Sequence, residues 1–326
     1  MHIIFGNSPV HSSKNAINIC VANTNGLSKE GRWEQILKRC KDVTILSENH
    51  CAAIMQKSLP FTAKDFHVIW GAPVNQGSRS GVAFLVRKGS FWNVRPISFD
   101  QSPCLKHYND GRLHAIQVFY NKGERYLILY AVYGHAGARW EQNRRDELET
   151  LLHDVAQDMI ARGSIPACIA GDFNLQVQES NFLQKYINTG FWIDSVSFGS
   201  SEEQNKLTSH NKNGSRIDML MANSLAAELL FDYQVKPGVL PQDHSEVHVQ
   251  LHLPIGAQCR YVPCQPNNDP IVPYDLPPSK YQPPQIDSIT SINPLLQAND
   301  VSTALFTPGV NWRRRGFARF RILKTV

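Results

Sequence analysis

The segment ACIAGDFNLQ, residues 167–176, decides the fold prediction for this chain. An apolar run leads through Gly171 directly to a carboxylate and an amide, Asp172 and Asn174, with one aromatic residue between them. A short apolar run of this kind is typical of a buried strand. An unpaired carboxylate is costly to bury, so these two polar side chains are predicted to lie at an exposed strand end or to bind other polar groups.

The composition of the 326-residue chain is that of a globular protein, with 42% apolar and 19% charged residues. No apolar run approaches the roughly 20 residues of a membrane-spanning helix. Residues 1–15 lack the pattern of a secretory signal peptide, and we expect no membrane association. The seven cysteines form an odd set without a regular framework, which predicts buried free thiols in an intracellular, reducing compartment.

Charge and proline divide the chain into three parts. Residues 255–326 contain 8 Lys/Arg and 4 Asp/Glu, which leaves 25 and 24 for the nearly neutral residues 1–254. A polyanion would therefore be bound locally and not by a uniformly basic surface. Eleven of the 19 prolines fall from Pro254 onward. We predict a flexible N-terminus over 1–14, a catalytic domain over 15–254 and a proline-rich tail with a basic end over 255–326.

Residues 15–254 alternate between strand-like and helix-like segments. Strands are predicted at 17–23, 81–86, 113–120, 126–133, 167–173, 216–222 and 246–253. Helices are predicted at 33–40 and from about Trp140 to Gly163, the second burying Leu148, Leu151, Leu152, Val155 and Met159. Many strands with few helices predict an α/β (α+β) fold in which packed sheets have helices outside them.

Polar groups recur at the ends of these strands. They are Asn23, Glu48, Asp172, Asn174, Asp218, Asp243 and His244. Hard oxygen ligands without a cysteine and histidine cluster favour Mg²⁺, or Mn²⁺, over zinc. A carboxylate that orients an imidazole, together with amides that can hold a phosphate, completes the parts needed for metal-assisted hydrolysis of a phosphate ester.

Each of these residues alone has an ordinary structural explanation. Asp172 could form a turn, and Glu48 could be a solvated strand end. His244, His248 and His252 are spaced by four, but strand alternation predicts a polar outer face there and not a zinc site. A catalytic role is favoured over these structural explanations because the groups recur in order along the chain, each at the end of a strand.

The ordered motifs CVANTNGL, ILSE, YGHA, AGDFN, SRIDMLM and QDHSEV resemble the endonuclease/exonuclease/phosphatase superfamily over about residues 15–254. SRID followed by an apolar strand is most similar to LINE-type retrotransposon and apurinic endonuclease domains. The resemblance implies a deoxyribonuclease-like, four-layer sandwich of two packed β-sheets flanked by helices. It also implies that Glu48 and Asp243 bind Mg²⁺ or Mn²⁺, with Asn23 supporting them and contacting the substrate phosphate.

The resemblance also implies the roles of the remaining residues. Asp172 would orient or deprotonate the attacking water, and Asn174 would hold the scissile phosphate. His244, oriented by Asp218, would stabilise the charge that develops on that phosphate. Tyr133 would lie near the phosphate.

The sequence departs from the family pattern beside three of these residues. Asn25 stands where many apurinic endonucleases have an aspartate, and YGHAG replaces the usual tyrosine-x-proline pattern after Tyr133. Gln242 precedes Asp243 where a small residue is common. The main hypothesis is a metal-dependent DNA endonuclease of retrotransposon type, with DNA as its partner, no obligate protein partner, and the nucleus as a possible location. A phosphatase or phosphodiesterase acting on lipid, inositol or RNA, and an inactive interaction module, are the alternatives.

Overall fold

A computed structural model describes residues 16–27, 31–74, 80–210, 214–238 and 243–253. The predicted flexible segment 1–14 and the predicted proline-rich tail 255–326 lie outside these residues, so the domain boundaries stay a prediction. Among the residues described, no helix has both the length and the apolar character that crossing a membrane requires.

Strands and helices alternate along the described ranges. The strands are β1 (Ala16–Asn23), β2 (Val43–Ser47), β3 (Phe66–Trp70), β4 (Ala83–Arg87), β5 (Asn93–Pro96), β6 (Leu113–Tyr120), β7 (Arg125–Tyr133), β8 (Ala167–Asp172), β9 (Ile193–Asp194), β10 (Asp218–Ala222), β11 (Leu230–Pro237) and β12 (Ser245–His252). The α-helices are α1 (Arg32–Arg39), α2 (Ala53–Ser58), α3 (Leu105–Asn109), α4 (Gln142–Ala161), α5 (Asn181–Asn188), α6 (Ser201–Gln204) and α7 (Ser224–Ala227).

The strands form two mixed six-stranded sheets. The first sheet has the order β11-β12-β1-β2-β4-β3 and the second the order β5-β6-β7-β8-β10-β9. Alternating apolar residues of both sheets fill the core between them, as Ile19 and Val21 of β1 do opposite Leu129 of β7 and Ala170 of β8. Helix α4 covers the outer face of the second sheet, and α1 covers that of the first. The predicted four-layer sandwich is therefore confirmed.

The long helix matches its prediction closely. It spans Gln142–Ala161 and buries the five predicted apolar residues. It ends close to Gly163, whose φ of 81° lies in the left-handed region that glycine adopts most readily after a helix.

The predicted free thiols are confirmed where the structure describes them. Cys20, Cys40, Cys51, Cys104 and Cys168 are buried and free. Cys259 and Cys264 lie outside the described residues.

Gly171 brings β8 close to β7 immediately before Asp172. Its φ is 147°, and a Cβ added there would collide with the carbonyl oxygen of Val132 on β7. Gly171→Ala should therefore lower the free energy of unfolding by about 3 kcal/mol or more in urea titration. Gly163→Ala is the control, because a Cβ there meets no neighbour within 4 Å and only the left-handed conformation costs about 1 kcal/mol. Equal losses in the two variants would contradict this role of Gly171.

Candidate active site

Three polar side chains of the second sheet lie in register at the same strand ends. Tyr133 on β7 pairs with Asp172 on β8, and Asp172 pairs with Asp218 on β10. Side chains two residues apart on a strand share a face. Ala170 and Leu220 belong to the core between the sheets, so Asp172 and Asp218 continue that inward-facing series to the rim.

Asn23 connects the two sheets at this rim. It follows the inward-facing Val21 on β1 by two residues, which turns its side chain toward the second sheet. Its Nδ2 donates to Oε2 of Glu48 at 2.9 Å and to Oδ2 of Asp172 at 2.8 Å. Because both acceptors are carboxylate oxygens, the amide nitrogen of Asn23, and not its oxygen, must face them. This fixes the orientation of the Asn23 side chain.

Asp172 is the buried carboxylate at the centre of the site. Its Oδ1 accepts a hydrogen bond of 2.7 Å from the backbone amide of Asn174, and Asn23 occupies the other oxygen. Burial, and then the nearby charge of Asp218, raise the pKa of Asp172 to about 7. A carboxylate with a pKa near neutrality is suited to accept a proton at physiological pH.

Asp218 holds the imidazole of His244. The Nδ1 of His244 lies 2.7 Å from Oδ2 of Asp218, and the backbone amide of Asp218 donates to Oγ1 of Thr208 at 2.9 Å. Burial lowers the pKa of His244, but the charge and hydrogen bond of Asp218 outweigh burial and raise that pKa to about 9. With Nδ1 bound to Asp218, Nε2 is the nitrogen that can donate to a substrate.

Measuring the pKa of His244 tests its pairing with Asp218 directly. An NMR titration of the His244 imidazole in chelator-containing buffer should give a pKa of about 9. Asp218→Asn should lower this pKa, because it removes the negative charge that favours the imidazolium. Asp100→Asn, an exposed position, should leave it unchanged. A wild-type value near the ordinary pKa of about 6.5 would contradict the pairing.

The two predicted metal ligands flank this network. Glu48 is partly exposed, and Asn23 binds its Oε2. Asp243 is exposed and joins the site through Asn25, whose Nδ2 donates to its Oδ2 at 3.3 Å. Asn25, the first departure from the family pattern, thus occupies a position where an aspartate would face the carboxylate of Asp243.

The donor set fits a hard divalent cation. Oxygen atoms of Asp172 and Asp218 lie within 4.8 Å of each other, and Glu48 joins the same network through Asn23. Oδ1 of Asp218 is buried without a hydrogen-bond partner in the described part of the chain. Carboxylate oxygens are the ligands that Mg²⁺ prefers, and a bound cation would offset the repulsion among these carboxylates.

Tyr133 lies beside the carboxylates as a neutral phenol. Burial, and then the charges of Glu48 and Asp172, raise the pKa of Tyr133 well above its ordinary value. The guanidinium of Arg112 lies 5.4 Å from the centre of the Tyr133 ring and donates to the carbonyl oxygen of Gly134 at 2.8 Å. Arg112 therefore holds the Tyr133 ring in place. Because the raised pKa keeps the phenol protonated, its hydroxyl group can donate a hydrogen bond.

Asn174 follows Asp172 by two residues, and its side chain lies within hydrogen-bonding reach of the Tyr133 hydroxyl group. Its Nδ2 donates to the carbonyl oxygen of Gly134 at 3.3 Å, a long contact. Its predicted contact with the substrate phosphate stays a prediction.

Unusual backbone conformations concentrate at the site. Within the described residues, six positions other than glycine have positive φ angles, and four of them are Asn25, Glu48, His50 and Asn174. Left-handed backbone is unfavourable for most residues and is frequent where function requires a fixed side-chain direction. This supports the assignment of the network as the functional site.

The eight predicted residues lie at one rim of the two sheets, together with several neighbours that the sequence did not indicate. His50 Nε2 lies 3.4 Å from Oε1 of Glu48, and Thr208 and Arg112 support Asp218 and Tyr133. The position of His50 two residues after Glu48 was the one available signal. Thr208 and Arg112 come from distant loops and have no sequence signature.

Comparisons with known proteins agree with the fold. No family model matches the chain, and no curated protein matches it. Among solved structures, the catalytic domain of APE2 from Xenopus laevis is 18% identical, with a TM-score of 0.59 over 74% of this chain and 95% of that one. The 3'-5' exonuclease NExo from Neisseria meningitidis is 18% identical, with a TM-score of 0.54 over 73% of this chain and 100% of that one.

A third similar structure is described as a member of the endonuclease/exonuclease/phosphatase family. The endonuclease/exonuclease/phosphatase family protein from Leptotrichia buccalis is 15% identical, with a TM-score of 0.51 over 73% of this chain and 100% of that one. At these identities the likeness concerns the fold, and this chain has the fold of the endonuclease/exonuclease/phosphatase proteins.

Proposed function

We propose that this protein is a Mg²⁺-dependent phosphodiesterase that nicks DNA, an endonuclease of retrotransposon type. The observation that carries the proposal is the single network in which Asn23 joins Glu48 to Asp172, beside the Asp218–His244 pair. Carboxylates, an oriented imidazole and neutral amides at one rim are the parts that metal-assisted phosphate ester hydrolysis requires.

Glu48 and Asp243 are the residues that would hold the cation. When bound, Mg²⁺ would neutralise charge on the phosphate and lower the pKa of water. The amides of Asn23 and Asn25 bind these carboxylates without adding negative charge that would repel an anionic substrate.

Asp172 is the group that would orient the attacking water and take its proton. Both of its oxygens are held, by the backbone of Asn174 and by Asn23, so its direction is set before substrate arrives. Burial raises its pKa, which makes Asp172 a stronger base than an ordinary carboxylate.

His244 is the group that would stabilise the charge developing on the phosphate. Its pKa of about 9 keeps it protonated at neutral pH, and Asp218 fixes the ring so that Nε2 donates. Tyr133 and Asn174 would add neutral donors to the same anion.

The charge of residues 1–254 is nearly balanced, so a basic surface does not indicate DNA binding. The support for DNA as the substrate comes from local features. Trp140 is 76% exposed in the segment between β7 and α4, and the Arg139 guanidinium lies 4.7 Å from the centre of its ring. An exposed aromatic with a cation on its face is suited to stacking on a base. The 3' phosphatase NExo from Neisseria, which shares the fold, has been solved bound to a product DNA hairpin.

A substrate panel tests this proposal. In Mg²⁺, the full chain should cleave an intact DNA duplex and a duplex with one abasic site, and should leave single-stranded RNA, an inositol phosphate and sphingomyelin unhydrolysed. Hydrolysis of an inositol or lipid phosphate without DNA cleavage would overturn the DNA proposal in favour of the alternative phosphatase function. The ratio of cleavage at intact and abasic duplexes separates the retrotransposon type from an apurinic endonuclease.

A further inference from the structure

A second cluster of metal-binding side chains lies on the outer face of the first sheet, away from the core between the sheets. Cys20 on β1 pairs directly with His248 on β12, and Glu246 precedes His248 by two residues. Residues opposite each other, and residues two apart, share a face of the sheet. The register therefore places a thiol, an imidazole and a carboxylate together.

The side chains of this cluster are buried and close together. Cys20 is 2% exposed, Glu246 3% and His248 9%. The Sγ of Cys20 lies 3.8 Å from Nε2 of His248, which lies 3.0 Å from Oε2 of Glu246. One ligand atom from each residue lies within 4.8 Å of the other two.

These spacings are those of ligands around one tetrahedral ion. With Zn–S of about 2.3 Å and Zn–N and Zn–O of about 2.0 Å, the sulfur and nitrogen ligands lie about 3.6 Å apart and the nitrogen and oxygen ligands about 3.3 Å apart. The observed separations of 3.8 Å and 3.0 Å differ from these values by a few tenths of an ångström. Zinc could bind without a change in the strand register.

We propose that Cys20, Glu246 and His248 form a zinc-binding site that is separate from the candidate active site. A thiol and an imidazole select Zn²⁺ over Mg²⁺, which prefers oxygen ligands. Sequence alternation assigned His248 to a polar outer face. His248 lies on the face opposite the core, since Val247 and Val249 belong to the core between the sheets, but it is only 9% exposed there.

Arg39 on α1 supports the carboxylate of this cluster. Its Nε donates to Oε1 of Glu246 at 3.1 Å, and its Nη2 lies 3.3 Å from Oε2. The side chain of Arg39 is 42% exposed, and its Nη2 also donates to the carbonyl oxygen of Pro237. Hydrogen bonds of this kind orient ligating carboxylates in metal sites.

A polar cavity of about 140 Å³ adjoins His248 on the outer face of this sheet and is lined also by Asn18, Lys41 and Gln250. It gives an ion access and can supply a water molecule as the fourth ligand.

The competing explanation is a buried hydrogen-bonded network in which Arg39 and His248 satisfy Glu246 and Cys20 is an ordinary core thiol. The two explanations differ in one measurable property. Only the zinc site turns the Cys20 thiol into a metal-bound thiolate.

Cobalt substitution of the full chain tests the proposal. One equivalent of Co²⁺ should produce a near-ultraviolet thiolate-to-cobalt charge-transfer band that one equivalent of Zn²⁺ removes. Cys20→Ser should abolish the band and His248→Gln should weaken it strongly. Cys168→Ser, a buried thiol of the other sheet, and Asp172→Asn should keep it. Absence of the band in the wild type, or its persistence in Cys20→Ser, would overturn the proposal.

A second measurement does not depend on the folding of the Cys20 and His248 variants. X-ray absorption of the zinc-loaded wild type should show one sulfur neighbour at about 2.3 Å with nitrogen or oxygen neighbours. Zinc should also raise the thermal unfolding midpoint by about 5 °C or more in the wild type and in Cys168→Ser. A zinc spectrum without sulfur would place the ion at the carboxylate site and overturn the inference, while leaving the proposed nuclease function untouched.

Discussion

Replacing Asp172 by asparagine is expected to lower kcat by about 10²- to 10⁴-fold, with little change in KM. The carboxylate is buried, and its direction is set by hydrogen bonds from Asn23 and from the backbone of Asn174. Its proposed interaction with the attacking water strengthens in the transition state, so its loss affects the chemical step more than substrate binding. The measurement is steady-state kinetics on a DNA duplex.

Asp100→Asn is the matched control, because this exposed carboxylate lies outside the site. It should retain wild-type kcat. An Asp172→Asn protein that folds and keeps normal kcat would mean that Asp172 has only a structural role at this strand end.

The Asp218 and His244 variants should show that these two residues act as one unit. Asp218→Asn removes the charge that orients the imidazole and keeps it protonated, so its loss of kcat should depend on His244 being present. The double variant should be little slower than His244→Ala alone. Additive losses would show that the two residues act independently.

The second large effect concerns the metal. Glu48→Gln should raise the Mg²⁺ concentration needed for half-maximal activity by about tenfold or more, because a carboxylate charge offsets the cost of dehydrating this cation. Excess Mg²⁺ should partly restore the rate. Gln retains the acceptor that Asn23 binds, so the structure of the rim is preserved.

A control for Glu48→Gln is available at an exposed carboxylate away from the rim. Glu228→Gln alters an exposed residue directly after α7, which follows β10 at the end opposite Asp218, and should leave the Mg²⁺ dependence unchanged. Identical Mg²⁺ titrations of the wild type and Glu48→Gln would remove Glu48 from the metal site.

The sequence was sufficient to predict which polar side chains lie together, because strand ends collect at sheet edges. The apolar runs before Asp172 and after Asp218 fixed two strands, and antiparallel register then put the two carboxylates opposite each other. Asn23 followed from the same alternation on β1. Residues held by regular strands are therefore the ones that periodicity could place.

The parts of the fold that were missed lack that periodicity. Strands β3 and β11 lie at sheet edges, where one side needs no partner and polar residues interrupt the apolar pattern. The short strand β9 has two residues, too few for any pattern. Thr208 and the pairing of Cys20 with His248 depend on contacts between residues far apart in the chain, which no local signal contains.

The most direct test of the proposed hydrolytic centre is nicking of supercoiled plasmid by the full chain, in Mg²⁺ and in chelator, beside His244→Ala purified in the same way. We expect open-circle product from the wild type in Mg²⁺ only, and at least 10²-fold less from His244→Ala. Equal nicking by the two proteins, or none by the folded wild type in Mg²⁺ or Mn²⁺, would contradict the assignment of this strand-end network as a metal-dependent phosphodiesterase.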